Sequence, residues 1–317
     1  MIEYELSADD LADTRFAISP IQELVFSLWA LRDPGRYTLH LPWRRAALAA
    51  VGEDDLRLLL ALVGEQRGLP DFLTPPPDSF APSFAEELDL VRRTPPHLVE
   101  RDLVATHRPG PLPAVLRGAT LADLTALLDR FWEASMAAAW PRMRLILEAD
   151  TTYRARRLAL GGARALFADL HPNVTWTTGA VRITKMIGRH RVLAGGRGLL
   201  LLPSIFAYKP VPPMSPHEPP WLAYPARGTA DLWEPPAAVH PDTLPALVGG
   251  PKARLLALLG EELTTTDLAR RLGVTPGAVS QHLQVLHASG LLIRTRAGRS
   301  VLYRRSDLGD RLTGEVT

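Results

Sequence analysis

Two short helices separated by a glycine turn are predicted in the last quarter of the chain. Residues 264–267 read Thr-Thr-Thr-Asp, and their side-chain oxygens can accept hydrogen bonds from the free N–H groups of a helix's first turn. Gly273 then favours the end of that helix, since the residue past a helix end often takes positive φ. Thr275 and Pro276 are typical of the cap and first position of a second helix. This pattern predicts a helix-turn-helix.

The second predicted helix has two chemically different faces. Val279, Leu283 and Leu286 recur at helical spacing and form one apolar stripe. The other face carries small or uncharged polar residues, namely Gly277, Ser280, Gln281 and Gln284. Because base edges in the major groove present paired donor and acceptor atoms, this face suits the reading of DNA sequence.

A basic β-hairpin is predicted to follow the second helix. Gly290 ends the helix, residues 291–296 form one strand, residues 297–299 the turn and residues 300–304 the return strand. Two helices at a tight turn followed by such a hairpin indicate a recognition helix with a wing.

Charge is distributed unevenly along the chain. Residues 268–306 contain no Asp or Glu but seven arginines. Residues 251–317 carry a net charge of +4 and residues 1–250 a net charge of −2, which together give the +2 of the whole chain. A positive charge confined to one small motif favours contact with phosphate there. A basic winged helix that only contacts protein stays open as the alternative.

The residues predicted to contact DNA lie on the second helix and the hairpin. They are Thr275, Pro276, Gly277, Ser280, Gln281, His282, Gln284, Arg294, Arg296, Arg299, Tyr303 and Arg304. For His282, packing between helices is an equally good interpretation, and for His287 packing is favoured.

These motifs resemble the ArsR family of bacterial repressors. The resemblance rests on residues 264–276, on Val-Ser-Gln-His-Leu at 279–283, on 286–291 and on the wing at 298–303. It covers about 65 residues, and the long N-terminal extension resembles that of a subgroup of ArsR-like regulators from high-G+C bacteria. The resemblance implies a dimeric regulator of transcription. Many members sense metals through cysteine thiolates, but this chain has no cysteine, so that chemistry cannot be carried over.

The preceding 250 residues predict helices first and strands second. Ser19–Gln22 reads as a capping box before an amphipathic helix, a long helical pattern from Thr120 meets Pro141, and Gly161-Gly162 predicts a further break. After Pro172 the period becomes alternating, with glycine turns. The predicted fold class is therefore α+β: a mainly helical N-terminal domain with a small antiparallel sheet, then a C-terminal winged helix-turn-helix.

Three segments follow from these patterns. Residues 1–208 are predicted to be an α+β sensor or dimerisation domain. Residues 209–250 are predicted to be a connector with a possible hairpin and short helix, because 210–220 contain six prolines. Residues 251–317 are the predicted DNA-binding domain.

Signatures of catalysis and of cofactor binding are missing from the sequence. There is no Gly-x-Ser-x-Gly, no phosphate loop and no His-Glu-x-x-His motif, so we expect neither an enzyme nor a cofactor. His97 and Glu100 lie one helical turn apart but are more typical of a solvated surface, and no metal site is predicted.

No signal peptide or membrane span is evident, which indicates a cytoplasmic, nucleoid-associated protein.

A candidate effector site lies beside the Pro141 break. Aromatic, basic and acidic side chains cluster there, namely Trp132, Trp140, Arg142, Arg144 and Glu148. Such a group could shape a cavity for an organic ligand, although aromatics at helical spacing more often belong to a core.

We expect a homodimeric repressor that binds a palindromic operator. The alternative is an enzyme or interaction module that uses the winged helix as a docking surface.

Overall fold

A computed structural model describes residues 1–186, 188–215, 219–230, 232–233, 243–297 and 300–313. The chain divides into two compact units, Met1–Trp233 and Glu234–Thr317. Strand β7 of the first unit falls inside the segment predicted to be a connector. No described helix is long and apolar enough to cross a membrane.

The first unit begins with short elements and continues with helices. Their bounds are β1 Ile2–Glu5, α1 Ala8–Ala12, β2 Arg15–Phe16, α2 Pro20–Arg32, α3 Leu41–Ala50, α4 Glu53–Ala61, α5 Phe84–Arg92, α6 Pro96–His107, α7 Ala114–Arg117, α8 Leu121–Ser135 and α9 Trp140–Ala168. The strands that follow are β3 Val174–Thr177, β4 Ala180–Ile183, β5 His190–Leu193, β6 Leu200–Ser204 and β7 Trp221–Pro225.

Helix α2 lies at the centre of the first unit. The Ser19 hydroxyl accepts from the Gln22 backbone N–H at 3.1 Å, and Pro20 occupies the first helical turn. Every residue of α2 except Arg32 is buried. The apolar face of this helix is buried, as predicted for a helix that docks on a core, and its other face is buried too, because helices α3, α4 and α5 all contact it.

The long helical pattern after Thr120 is broken where sequence chemistry indicated. Thr120 and Asp123 form a capping box at the start of α8. Residues 136–139 separate α8 from α9, and Pro141 then lies in the first turn of α9, where its missing N–H costs no internal hydrogen bond. Gly162 has φ 64° and interrupts α9, as the predicted break required.

The predicted small antiparallel sheet is found in part, because some of its strand pairs are antiparallel and others are parallel. Four strands form a mixed sheet in the order β3-β4-β1-β5, in which β1 runs antiparallel to β4 but parallel to β5. A second sheet, β2-β6-β7, is parallel throughout. Of the two strands of the possible hairpin, Trp221–Tyr224 and Thr229–Trp233, the first is found as strand β7 and pairs in parallel with β6, whereas the described residues of the second form no strand. Alternation along a strand shows which face is buried but not which distant segment pairs with it.

The second unit contains the predicted helix-turn-helix. Its elements are α10 Thr243–Val248, α11 Gly250–Leu258, β8 Leu263–Thr264, α12 Thr265–Leu272, α13 Pro276–Ala288, β9 Leu292–Ala297, β10 Ser300–Arg305 and α14 Asp307–Thr313. Strands β8, β10 and β9 form one antiparallel sheet. Leucines of α11, α12 and α13 lie together in the hydrophobic core of this second unit.

Candidate nucleic-acid interface

Helix α12 is fixed at both ends by the residues that predicted it. The Thr264 hydroxyl accepts from the Asp267 N–H at 3.1 Å and donates to the Asp267 carboxylate at 2.6 Å. Hydrogen bonds from Thr264 lower the pKa of that carboxyl. Gly273 takes φ 67° and its N–H bonds to the Ala269 carbonyl. The turn that orients the next helix is therefore set by local chemistry.

Helix α13 begins at an exposed cap and carries a buried stripe. The Thr275 hydroxyl accepts from the Ala278 N–H at 3.4 Å, and Pro276 opens the helix. Val279, Leu283 and Leu286 are each at most 1% exposed. Their spacing anchors one face of the helix in the core and thereby fixes which side chains point away from it.

The opposite face of α13 is open to solvent. Gly277, Gln281 and Gln284 are exposed, Thr275 and Pro276 are exposed at the helix start, and Ser280 and His282 are half-buried. Glutamine amides offer both a donor and an acceptor, which matches the paired groups that adenine presents in the major groove. The α13 residues predicted from the sequence thus lie together on the first three turns.

The hairpin places the predicted wing residues on two different faces. Tyr303 lies opposite Arg294 in the register of β9 and β10, and Arg296 lies opposite Val301. Because side chains alternate along a strand, Arg294, Arg296 and Tyr303 share one face and Arg304 lies on the other. Tyr303 is half-buried and packs against the core of this unit. Arg299 lies outside the described residues.

The arginines of residues 268–306, the segment without Asp or Glu, divide into those that form ion pairs and those that are free of ion pairs in the described part of the chain. Arg270 pairs with Asp267 at 2.6 Å and Arg271 with Glu261 at 2.8 Å. Arg294, Arg296 and Arg304 are exposed, and they form no ion pair within the described part of the chain. These three side chains are therefore available to an external anion.

Arg305 was counted with the basic segment, but it is a structural residue. Its side chain is 3% exposed and its Nε lies 2.8 Å from a carboxylate oxygen of Asp310. Its Nη1 donates to the Leu256 carbonyl at 3.3 Å and to the Thr313 hydroxyl at 3.1 Å. Arg305 thus joins α11 and α14 to the hairpin, and the run of arginines gave no sign of this difference.

Two of the predicted effector residues, Trp132 and Trp140, contact each other directly. Trp132 is 7% exposed. Its ring stacks on that of Phe84 with 4.3 Å between the ring centroids, and it contacts the ring of Trp140 edge-on with 5.5 Å between the centroids. Trp132 belongs to the main core and the half-buried Trp140 packs against it, in line with the alternative interpretation of aromatics at helical spacing.

The charged members of that predicted site lie on α9, close in sequence to Trp140. Arg144 pairs with Glu148 at 2.7 Å across one turn of α9, and Arg142 is exposed. His97 and Glu100 are exposed as well. No group of three His, Cys, Asp or Glu side chains able to hold a metal occurs among the described residues.

Two capped helices at a glycine turn, followed by an antiparallel strand pair, define a DNA-binding domain of the helix-turn-helix class. Comparison with known proteins identifies the family. Residues 255–294 match the model described as "Bacterial regulatory protein, arsR family". The HTH-type transcriptional regulator NmtR of Mycobacterium tuberculosis is 39% identical over 82 residues, which are 26% of this chain and 68% of that protein. No solved structure matches the chain.

The chain therefore belongs to the ArsR family of bacterial transcriptional regulators, with a long N-terminal region as an addition to the family domain. It is a DNA-binding regulator of transcription. The family match at residues 255–294 falls within the second unit and overlaps the motifs at 264–303.

Proposed function

We propose that the protein is a homodimeric repressor that binds a palindromic operator through α13 and the β9–β10 hairpin. The observation that carries this proposal is the division of α13 into a buried apolar stripe and an exposed face with Gln281 and Gln284. Arg294 and Arg296 on the hairpin form no ion pair among the described residues and supply positive charge for the phosphate backbone. Dimerisation follows from the shortness of α13, since one recognition helix covers only a few base pairs.

Its regulatory signal, in this proposal, is an organic ligand or a partner protein and not a soft metal. The chain has no cysteine and therefore no thiolate, the ligand that soft metals prefer. An effector of either kind would act by favouring one dimer geometry over another and so changing DNA affinity.

Fluorescence anisotropy with duplexes selected from genomic DNA tests the DNA-binding part of the proposal. We expect binding to a selected site to exceed binding to a scrambled duplex by about 10³-fold or more. Affinity should also fall steeply with salt, because each neutralised phosphate releases counterions. Equal affinity for both duplexes, or no duplex binding at all, would favour the alternative of a protein-docking winged helix.

A further inference from the structure

A cavity of about 520 Å³ lies within the first unit, away from the predicted effector residues. Its apolar wall comes from separate parts of the chain, with Phe26, Trp29, Leu69, Met186, Met214 and Trp221 among the lining residues. Binding sites for small molecules commonly measure about 300–1,000 Å³ and have mostly apolar walls. The cavity therefore has the size and wall of a site for an organic molecule.

Positive charge predominates among the polar residues that line the cavity. Four cations do so, namely Arg36, Arg67, Arg108 and Lys209, against one carboxylate among the described residues, that of Asp71. Asp71 accepts from the backbone N–H groups of Met214 at 3.0 Å and Ser215 at 2.8 Å. Its charge is thus already engaged by the chain.

The guanidiniums of Arg36 and Arg67 share one further carboxylate. Asp33 lies 2.7 Å from Arg67 and 3.7 Å from Arg36. Both arginine side chains remain about two-fifths exposed. Lys209 forms no ion pair among the described residues. The cavity is therefore lined by more cationic than anionic side chains, and these cations lie beside its apolar wall.

The ionisation of Tyr208, another lining residue, reflects this surplus. Burial by itself raises the pKa of Tyr208, but the hydrogen bond from Arg36 at 2.9 Å and the charge of Lys209 outweigh it, so that the pKa is lowered. A site that favours the phenolate also favours other oxyanions.

Backbone strain is found at the same place. Arg67 with φ 63° and Lys185 with φ 57° are the non-glycine residues of positive φ in the described part of the chain. Arg67 lines the cavity, and Lys185 precedes the lining residue Met186. Contacts hold Arg67 in this conformation, because its N–H donates to the Gly64 carbonyl and its own carbonyl accepts from Trp29 Nε1, each at 2.9 Å. Such strain is often located at ligand sites.

We propose that this cavity binds a small organic acid. The apolar body of the ligand lies against Trp29, Met214 and Trp221, and its anionic head pairs with Arg67, Arg36 and Lys209. Guanidinium groups suit a carboxylate because two parallel N–H groups meet its two oxygens. This site belongs to the first unit alone, so that its existence does not depend on the proposed repressor activity.

Isothermal titration calorimetry of the full chain tests the site with an aliphatic and an aromatic acid. The probes are decanoate and 1-naphthoate, and their uncharged counterparts are decanamide and 1-naphthamide. We expect at least one acid to bind at a 1:1 ratio per chain and at least tenfold more tightly than its amide. Absence of binding by both acids at 1 mM, or equal affinity of acid and amide, would overturn the proposal.

Three variants locate the binding on the chain. R67N keeps a residue type that tolerates positive φ, and K209Q removes a cation without an ion pair; each should weaken acid binding at least fivefold. R57Q is the matched control, since Arg57 is an exposed helical arginine whose ion pairs among the described residues are with Glu53 and Asp54, and it should leave affinity unchanged. Thermal melts establish that each variant is folded. Native affinity in folded K209Q and R67N together would contradict the assignment.

Discussion

At the scale of single residues, Gln281 is the side chain on α13 most suited to reading a base. Gln281→Ala should cost on the order of 1–3 kcal/mol on the cognate operator and relax the preference at one base pair. The Arg296 guanidinium, exposed on the hairpin, should instead contact phosphate. Arg296→Ala should therefore weaken all duplexes similarly and lower the slope of log affinity against log salt by about one per half-site.

Binding of both variants to a set of operators with single base substitutions separates these two roles. The Gln281 variant should show a changed base preference at one position, and the Arg296 variant an unchanged pattern. Sequence-independent losses of equal size in both variants would mean that the reading face of α13 has been assigned incorrectly.

Neighbouring arginines at the end of β10 should behave in opposite ways. Arg305 is buried beside Asp310, and breaking a buried ion pair leaves an uncompensated charge. Arg305→Ala should destabilise the second unit by about 2–4 kcal/mol, less than for a fully buried pair because Asp310 is partly exposed. Arg304→Ala, its exposed matched control, should change stability by less than about 0.5 kcal/mol.

The two units can be observed separately in the intact protein. All seven tryptophans lie within residues 1–233, so that tryptophan fluorescence follows the first unit while far-UV circular dichroism follows both. In urea, Arg305→Ala should shift only the dichroism component to lower denaturant. A shift of the fluorescence transition, or equal stability of the two arginine variants, would contradict the structural role of Arg305.

At the scale of elements, α2 contains a buried carboxylate that should make the first unit sensitive to pH. Burial raises the pKa of Glu23 to about 7, although hydrogen bonds from Ser204, Ile205 and Phe206 act in the opposite direction. The folded state thus binds this proton more tightly than the unfolded chain does. The stability it contributes is present below about pH 4.5 and is lost as the pH rises through 7.

Glu23→Gln removes this ionisation and keeps an oxygen for the Ile205 N–H, which now bonds to Glu23 at 3.0 Å. Between pH 5 and 8 the variant should lose less stability than the native chain by on the order of 1–3 kcal/mol. Some loss should persist, because burial also raises the pKa of Glu87, to about 8. Urea unfolding followed by tryptophan fluorescence measures the difference. Glu133→Gln, an exposed control on α8, should follow the native profile. Identical profiles for all three proteins would refute the role of Glu23.

Elements whose ends and faces are determined by neighbouring residues could be predicted from the sequence. Elements that depend on contacts with distant segments could not. The Thr264 cap, the Gly273 turn and the Val279–Leu283–Leu286 stripe each depend on residues within one or two helical turns. Strand β1 has no such local signal, and its place between β4 and β5 depends on residues about 180 positions away.

The same distinction holds for the candidate sites. The α13 face is one periodic segment, so that its residues could be named from spacing. The cavity of the first unit draws Trp29, Arg67, Lys209 and Trp221 from distant segments, and no motif joins them. The cluster at Trp132 and Trp140 could be named from local spacing, and Trp132 lies in the core while Trp140 packs against it.

At the scale of the whole molecule, the proposed dimer makes a prediction about operator geometry. Two-fold repressors place their recognition helices one duplex turn apart, about 34–36 Å, so that half-sites should be centred about 10 base pairs apart or a multiple of that. Light scattering of the complex and footprinting should show two chains on a palindrome. A monomer on DNA, or protection of one asymmetric half-site, would contradict the dimer.

The absence of cysteine leads to a last prediction, that soft metals do not regulate this protein. Arsenite, cadmium and lead bind tightly through thiolates, and this chain offers none. Operator affinity should therefore change less than twofold on addition of any of these ions at micromolar concentration. Zinc and nickel belong in the same series, because His97 and Glu100 lie one helical turn apart on α6. A chelator serves as the control for metal carried through purification. Release of the operator by micromolar arsenite, cadmium or lead would show that a thiolate-free site in this chain binds soft metals, and the proposed non-metal signal would have to be abandoned.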